Sequence, residues 1–177
     1  MRTAEVTDAL AVLLAYPCAE TAHGAAAAID TLRREAPDLL DLLEPHAAWR
    51  QGADLREQEE VFTRTFDWSS ERALDLGWHL YGEQYERGAF LVRMRELLRS
   101  HGIEEGQELP DHLGTVLRLL GRMPESQAQA LAEASLRPAL ARLRAGFGAD
   151  PNPYLALIAT VEAALPAAPA PAVGGSR

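Results

Sequence analysis

Residues 74–120 read LDLGWHLYGEQYERGAFLVRMRELLRSHGIEEGQELPDHLGTVLRLL, and the spacing of their apolar side chains gives the first indication of the fold. Apolar side chains recur in it every three or four positions, as at Phe90, Met94 and Leu97, which is the spacing of one face of an α-helix. Gly82 and Gly102 separate the periodic runs. The same spacing continues on both sides, and no window shows the two-residue alternation of β-strands. The sequence therefore predicts an all-α protein.

The length of 177 residues suits one helical domain. We expect a single-domain bundle of about seven to nine helices over residues 1–165. The last residues, 166–177, are rich in Pro, Ala and Gly and are expected to form a disordered tail. After a first helix that contains Val6 and ends before Pro17, the expected helices cover about residues 20–36, 38–49, 53–66, 71–81, 83–100, 110–121, 124–147 and 150–165.

The charge of the chain excludes several classes of protein. Seventeen basic residues, all of them Arg, stand against 26 acidic ones and give a net charge of −9. This charge repels phosphate backbones, argues against a nucleic-acid partner and favours a basic one. No apolar run approaches the roughly 20 residues that cross a bilayer, so we expect no membrane insertion. With neither a secretory signal nor a second cysteine beside Cys18, a cytoplasmic location is expected.

Motifs of the common catalytic sites are absent: the sequence has no phosphate-binding loop, dinucleotide fingerprint, nucleophile elbow or Cys-x-x-Cys pair. We therefore expect a protein without catalytic activity or a stably bound cofactor, and we interpret Cys18 as a small, half-buried apolar residue. The alternative is a helical metalloenzyme that uses His79 and Glu83 with Asp111 and His112. Gly82 weakens it by interrupting the helix between His79 and Glu83, and we expect no metal site.

Aromatic residues are concentrated between positions 62 and 85. Residues spaced like Phe62 and Phe66 are usually core, whereas Trp68 and Tyr85 do not fit the helical stripes. Aromatic side chains with acidic neighbours also suit a groove that binds a basic, apolar peptide. Both interpretations stay open from the pattern alone. The residues concerned are Phe62, Phe66, Trp68, Trp78, Tyr81 and Tyr85, with the acids Asp67, Glu71, Asp75, Glu83 and Glu86.

A second motif begins at Pro110, which suits the first turn of a helix because its missing N–H loses no partner there. Asp111 in that turn would complement the helix dipole, or else offer a polar contact to a partner at the mouth of a groove. His112, beside a carboxylate, would then titrate near neutral pH and make partner binding depend on pH.

Four segments carry a resemblance to a known family: LLAYP at 13–17, EEVFTRTFD at 59–67, LYGEQYERGAFLVRMRELLRSHGI at 80–103 and ELPDHL at 108–113. In this order they resemble the assembly chaperones of molybdenum-cofactor oxidoreductases, the TorD/DmsD/NarJ superfamily, and most closely its nitrate reductase delta-subunit branch, NarJ. The similarity in pattern spans roughly residues 6–121.

The resemblance implies a cytoplasmic, all-helical chaperone, monomeric or weakly dimeric, that binds the N-terminal, leader-like segment of an apo catalytic subunit. It holds that client until the molybdenum cofactor is inserted. Two departures from the branch, at Gly82 to Tyr85 and at Trp68 to Glu71, leave chaperones of perchlorate, selenate, dimethyl sulfide or ethylbenzene enzymes as alternatives. A permanent adaptor subunit of a respiratory complex is a separate alternative. The expected client-binding residues are Phe62, Thr65, Phe66, Asp67, Trp78, Tyr81, Glu83, Tyr85, Arg87, Pro110, Asp111 and His112.

Overall fold

The computed structural model describes residues 2–167, and helices make up nearly all of its regular structure. The predicted all-α, single-domain bundle is confirmed. The helices are α1 (Ala4–Leu13), α2 (Ala19–Glu35), α3 (Leu40–Gly52), α4 (Leu55–Phe62), α5 (Leu76–Tyr81), α6 (Tyr85–Ser100), α7 (Leu113–Leu120), α8 (Glu125–Leu131), α9 (Arg137–Ala145) and α10 (Tyr154–Ala164). Short 3₁₀ turns cover Pro37–Leu39 and Ser70–Arg72.

Two π-helical segments extend these helices. Thr63–Asp67 continues α4, and Ala132–Leu136 joins α8 to α9. Because α8, the π-helical segment and α9 form one continuous helix, residues 2–167 contain nine separate helices. The single helix expected over 124–147 is therefore confirmed.

The helix boundaries follow from local chemistry. The Thr3 hydroxyl accepts a hydrogen bond from the Val6 N–H at the start of α1, and the Asp54 carboxylate accepts one from the Glu57 N–H at the start of α4. Gly82 after α5 and Gly102 after α6 have φ values of +59° and +68°, a conformation that favours glycine. The breaks expected at both glycines are confirmed.

Helix α1 lies at the centre of the bundle, where it packs on α2 and α7. Leu10, Leu13 and Leu14 are fully buried, as the apolar stripe of this helix predicts. On the far side, α10 packs along α3, while α5 packs against α9 and α6. One apolar core runs from Val6 to Leu165 and connects all of these contacts.

The helix expected over residues 71–81 is wrong in its first half. Residues 73–75 are not helical, with Asp75 in extended conformation, and α5 begins only at Leu76. The reason is a tertiary contact, since Asp75 forms an isolated antiparallel bridge with His112. The helix expected from Pro110 likewise begins three residues later, at Leu113.

Most of the tail predicted to be disordered, residues 168–177, lies outside the described residues. At its beginning, the carbonyl oxygen of Pro166 accepts a hydrogen bond of 2.6 Å from Arg137 Nη2. Within residues 2–167, every helix is too short or too polar to span a membrane.

Candidate functional site

A backbone pairing brings together two segments that are far apart in the sequence. The Leu76 N–H donates to the Asp111 carbonyl oxygen at 3.1 Å, and the Leu113 N–H donates to the Leu74 carbonyl oxygen at 2.8 Å. These bonds flank the bridge between Asp75 and His112. The segment after the aromatic motif is therefore fastened to the Pro-Asp-His motif.

A groove of about 660 Å³ opens beside this pairing, between the end of α1, the end of α4 and the start of α7. Its volume falls in the range of protein ligand sites, about 300–1,000 Å³. It contains four of the residues that the sequence singled out as client-binding: Phe62, Phe66, Asp67 and His112. The complete lining is Ala11, Leu14, Ala15, Tyr16, Phe62, Phe66, Asp67, Ala73, Leu74, Asp75, Glu108, His112, Gly114, Thr115 and Arg118.

The apolar floor of the groove is a chain of aromatic rings. Tyr16 lies edge-to-face on Phe62 at 5.3 Å between ring centroids, and Phe62 lies on Phe66 at 5.0 Å. Tyr154 of α10 supports both phenylalanines from behind, at 5.8 and 4.9 Å. Edge-to-face contacts of this kind hold rings in fixed orientations. Tyr16 is 45% exposed, whereas both phenylalanines are buried, so the floor is also part of the core.

The π-helical segment Thr63–Asp67 sets the direction of this floor. Thr65 is buried, and its hydroxyl donates to the Val61 carbonyl oxygen at 2.6 Å and accepts from Asn152 Nδ2 at 2.7 Å. Thr65 therefore supports the groove from inside the bundle and does not line it. The adjacent Phe66 faces the groove, and the exposed Asp67 lies on its rim.

Asp111 is fully buried and does not line the groove. Its Oδ2 accepts a hydrogen bond of 2.7 Å from the N–H of Gly77, in the first turn of α5, while its Oδ1 has no partner among the described residues. It thus stabilises the start of α5, not the first turn of α7 as the sequence suggested. Burial raises the pKa of this carboxyl, although the Gly77 N–H acts in the opposite direction. Pro110 beside it is buried as well.

His112 is the N-cap residue of α7, and its Nδ1 accepts a hydrogen bond from the Gly114 N–H at 3.2 Å. Accepting that bond requires an unprotonated Nδ1. Burial lowers the pKa of His112 below its ordinary value, and the nearby carboxylates of Glu108, Asp75 and Asp111 partly oppose this effect. The imidazole is therefore neutral at pH 7, and the expected titration near neutrality is displaced to lower pH.

Charged side chains give the groove an acidic rim. Asp67, Asp75 and Glu108 line it, and Arg118 is the one arginine among the described lining residues. A basic peptide would be attracted to this rim. Asp75 also contacts Arg87, whose Nη2 lies 3.4 Å from the carboxylate.

The remaining predicted residues lie outside the groove, at a neighbouring surface that we call the α5–α6 corner (residues 78–87). The Arg87 guanidinium stacks on the Trp78 ring at 5.5 Å, and Tyr81 packs on Phe90. Glu83 is exposed, and Tyr85 is 92% exposed. Arg87 joins the two regions, because it contacts both Asp75 of the groove and Trp78 of the corner.

The described residues do not form the metal site that a helical metalloenzyme would require. Among residues 2–167, no three His, Cys, Asp or Glu side chains are placed to hold one ion. His79 Nε2 is already within 2.7 Å of the Ala73 carbonyl oxygen. Cys18 is half-buried at the start of α2, as expected for a small apolar residue.

Among the lining residues that sequence reasoning missed, three are aromatic or charged: Tyr16, Glu108 and Arg118. Tyr16 lies in LLAYP and Glu108 in ELPDHL, two of the four segments that carried the resemblance. Arg118 lies on α7 four residues after Gly114 and three after Thr115, so helical spacing places it on the face of α7 that lines the groove.

Comparison with known proteins agrees with this architecture. The model of the nitrate reductase delta subunit family matches residues 18–160. Two relatives, from Escherichia coli strain K12 and Escherichia coli O157:H7, are each named nitrate reductase molybdenum cofactor assembly chaperone NarJ. Each is 32% identical over 76 residues, which cover 42% of this chain and 32% of the relative. The match thus spans about a third of the length of those relatives. Since the family model covers most of the chain, the protein belongs to the nitrate reductase delta subunit family.

Proposed function

We propose that this protein is a cytoplasmic, non-catalytic chaperone for the assembly of a molybdenum-cofactor enzyme. Its client is the apo catalytic subunit of a nitrate-reductase-like enzyme, and it binds the N-terminal segment of that subunit until the cofactor is inserted. Family membership and the names of the two relatives support the class of function. The observation that carries the binding proposal is the groove, with its aromatic floor and acidic rim.

The groove suits an amphipathic segment better than a small polar substrate. Tyr16, Phe62 and Phe66 offer an apolar floor for the apolar face of a helix, in the manner of helix-in-groove recognition. The rim carboxylates of Asp67 and Glu108 would pair with basic side chains on the polar face. Thr65, Pro110 and Asp111 are buried and would shape the site without contacting the client. Trp78, Tyr81, Glu83, Tyr85 and Arg87 form a further contact surface for the client.

A chaperone must release its client after cofactor loading, so an affinity in the micromolar range is sufficient, about −8 kcal/mol. A cofactor bound by the chaperone itself is not required, because in this mechanism the molybdenum cofactor enters the client. The chain acts as a monomer or weak dimer.

Affinity capture from the native host tests the function. We expect a tagged chain, expressed in anaerobic cultures, to recover one large molybdoenzyme catalytic subunit, identified by mass spectrometry and enriched when molybdate is withheld. Equal recovery of the mature, cofactor-loaded enzyme would instead support a permanent adaptor subunit. Recovery of no molybdoenzyme under either condition would contradict the proposal.

Variants at the rim test the groove itself, because Phe62 and Phe66 also belong to the core and their replacement would disturb folding. Glu108→Arg reverses a rim charge, and Thr115→Trp fills the groove from the wall formed by α7. Both should lose client capture while the thermal midpoint of the chain stays within a few degrees. Glu96→Arg, an exposed charge reversal on α6, is the matched control. Unchanged capture by the two folded groove variants would refute the groove assignment.

A further inference from the structure

A second cavity, separate from the groove, contains a cation without a counterion. Arg50 of α3 is only 8% exposed. Its Nη1 makes no hydrogen bond, and no carboxylate of residues 2–167 forms an ion pair with it. Buried charges in proteins are normally paired, since an isolated one loses its hydration without compensation. The guanidinium is therefore the feature of this region that requires an explanation.

The surroundings of Arg50 inside the protein do not supply the missing anion. The neutral hydroxyl of Tyr154 is beside it, and that hydroxyl also makes no hydrogen bond of good geometry. His46, one helical turn earlier, is fully buried, and the positive charge of Arg50 is one of the causes that lower the pKa of this histidine. Both neighbours are thus uncharged at pH 7.

Arg50 lines a cleft of about 350 Å³ between α2 and α3. Small apolar side chains form much of its walls: Ala22, Ala25, Ala26 and Ile29 on α2, and Ala47 and Ala48 on α3. Gln58 of α4 also lines the cleft, and its Nε2 donates to the carbonyl oxygens of Arg50 and Ala53 at 3.0 and 2.9 Å. Those two bonds fix the backbone that carries Arg50.

The other charges of the cleft are already balanced or lie in water. Arg33 pairs with Asp30 at 2.5 Å, and Glu44 is exposed. Arg50 is therefore the one cation among the described lining residues that has no carboxylate. A phosphate dianion would need a second cation at this position, whereas one guanidinium matches one carboxylate, which its planar fork can bind through two parallel N–H···O bonds.

From this arrangement we propose that the α2–α3 cleft is a binding site for a small monocarboxylate with an apolar body. The carboxylate binds the guanidinium of Arg50, and the apolar body lies against the alanine walls. The volume admits a ligand at the small end of the usual range. Because such a ligand supplies the counterion that the fold lacks, its binding should stabilise the folded state.

Hexanoate and its uncharged analogue hexanamide test this site on the full chain, since they share the apolar body and differ in the charge. We expect hexanoate to raise the thermal midpoint progressively with concentration, and hexanamide to bind about tenfold more weakly. In NMR spectra the methyl signals of Ala25, Ala26 and Ala47 should shift with hexanoate. Equal effects of acid and amide, or no effect of either on the folded chain, would overturn the proposal.

Variants locate the effect. Arg50→Met keeps the length of the side chain and removes the charge, so it should abolish the response to hexanoate. Arg33→Gln, at the same cleft, and Arg118→Gln, in the groove, should respond like the parent chain. A full response of Arg50→Met, or loss of the response in Arg118→Gln alone, would place the carboxylate elsewhere and refute the site. If Arg50→Met does not fold, the acid–amide comparison and the alanine methyl shifts of the parent chain decide.

Discussion

The groove and the α5–α6 corner both contain aromatic and charged residues, but they differ in how those residues are used. Behind the groove, Asp111 is fully buried and accepts a hydrogen bond from a backbone N–H. At the corner, Tyr85 is 92% exposed, and the Arg87 guanidinium stacks on a ring at the surface. Polar residues of the Pro-Asp-His motif can thus build the shape of a groove without lining it.

The largest effect on stability is expected at Gly77, and Gly88 provides the control. A Cβ atom at Gly77 would lie 2.7 Å from Asp111 Oδ2 and 3.0 Å from Phe90 Cδ1. We expect Gly77→Ala to lower the free energy of unfolding by about 3 kcal/mol, because it displaces the buried carboxylate and crowds the core. Urea denaturation measures this. Gly88→Ala in α6 should raise the free energy of unfolding by about 0.5–1 kcal/mol, because nothing lies within 4 Å of the added methyl group and alanine favours the helix. Similar effects at the two positions would contradict the packing at Asp111.

Asp111 separates the role of shape from the role of charge. Asp111→Ala leaves the Gly77 N–H without an acceptor and should lower the free energy of unfolding by about 2 kcal/mol. Asp111→Asn keeps an acceptor oxygen and should cost less, since burial raises the pKa of Asp111 and the fold favours its neutral form.

The pH dependence of Asp111 has a definite sign. A raised pKa means that the folded state binds the proton more tightly, so the contribution of Asp111 to stability is lost as pH rises through its folded pKa. Asp111→Asn should remove this dependence. A loss of stability in Asp111→Asn as large as in Asp111→Ala would show that the charge itself is needed.

His46 tests the core behind the groove floor, where it packs on Tyr154 with 5.0 Å between ring centroids. Burial lowers its pKa to about 3. The unfolded state therefore binds more protons between pH 6.5 and about 3, and stability falls as pH falls through this window, by up to about 1.4 kcal/mol per pH unit.

Replacing this histidine should flatten the curve. We expect His46→Leu to reduce the slope of unfolding free energy against pH below 6. The matched change at the corner, His79→Gln, should have a smaller effect, because the Ala73 carbonyl oxygen partly offsets the lowering of the His79 pKa by burial. An unaltered slope in His46→Leu would assign the dependence to other groups.

The smallest effect on stability is expected at the corner surface. Tyr85→Ala should change the free energy of unfolding by less than about 0.5 kcal/mol, because the side chain is 92% exposed. Its effect on client capture then reports binding alone. A loss of capture would extend the contact surface from the groove to the corner, whereas full capture would confine it to the groove.

Local patterns were sufficient for most of the fold. The extent of α1 and the breaks at Gly82 and Gly102 depend on residues within one or two turns, and the structure confirms them. The predicted start of α5 was wrong because the true start depends on backbone pairing with residues 35 or more positions away. Leu74 pairs with the backbone of Leu113, and Leu76 with that of Asp111. No local periodicity contains that information.

The candidate site was predictable to a similar extent. The aromatic pair Phe62 and Phe66 and the residue His112 were selected from sequence and line one groove. Asp111 was selected for its charge, but the structure uses it as a buried acceptor for α5. Sequence reasoning did not select Arg50, because an arginine near the end of a helix is normally exposed. Its burial and its missing counterion are visible only in the structure.

The π-helical segment Thr63–Asp67 has a consequence for how the family can vary in this region. A π-turn contains one residue more than the α-turn that it replaces. Because each kind of turn completes about one revolution, deleting a single residue within the segment would restore regular α-helical geometry and leave the direction of the side chains beyond it nearly unchanged. Deleting a residue from the regular part of α4 would instead rotate everything beyond the deletion by about 100°, and Phe66 would leave the groove floor although its identity was unchanged. The π-helical segment is therefore the part of this helix whose length can change by one residue with the least effect on the groove.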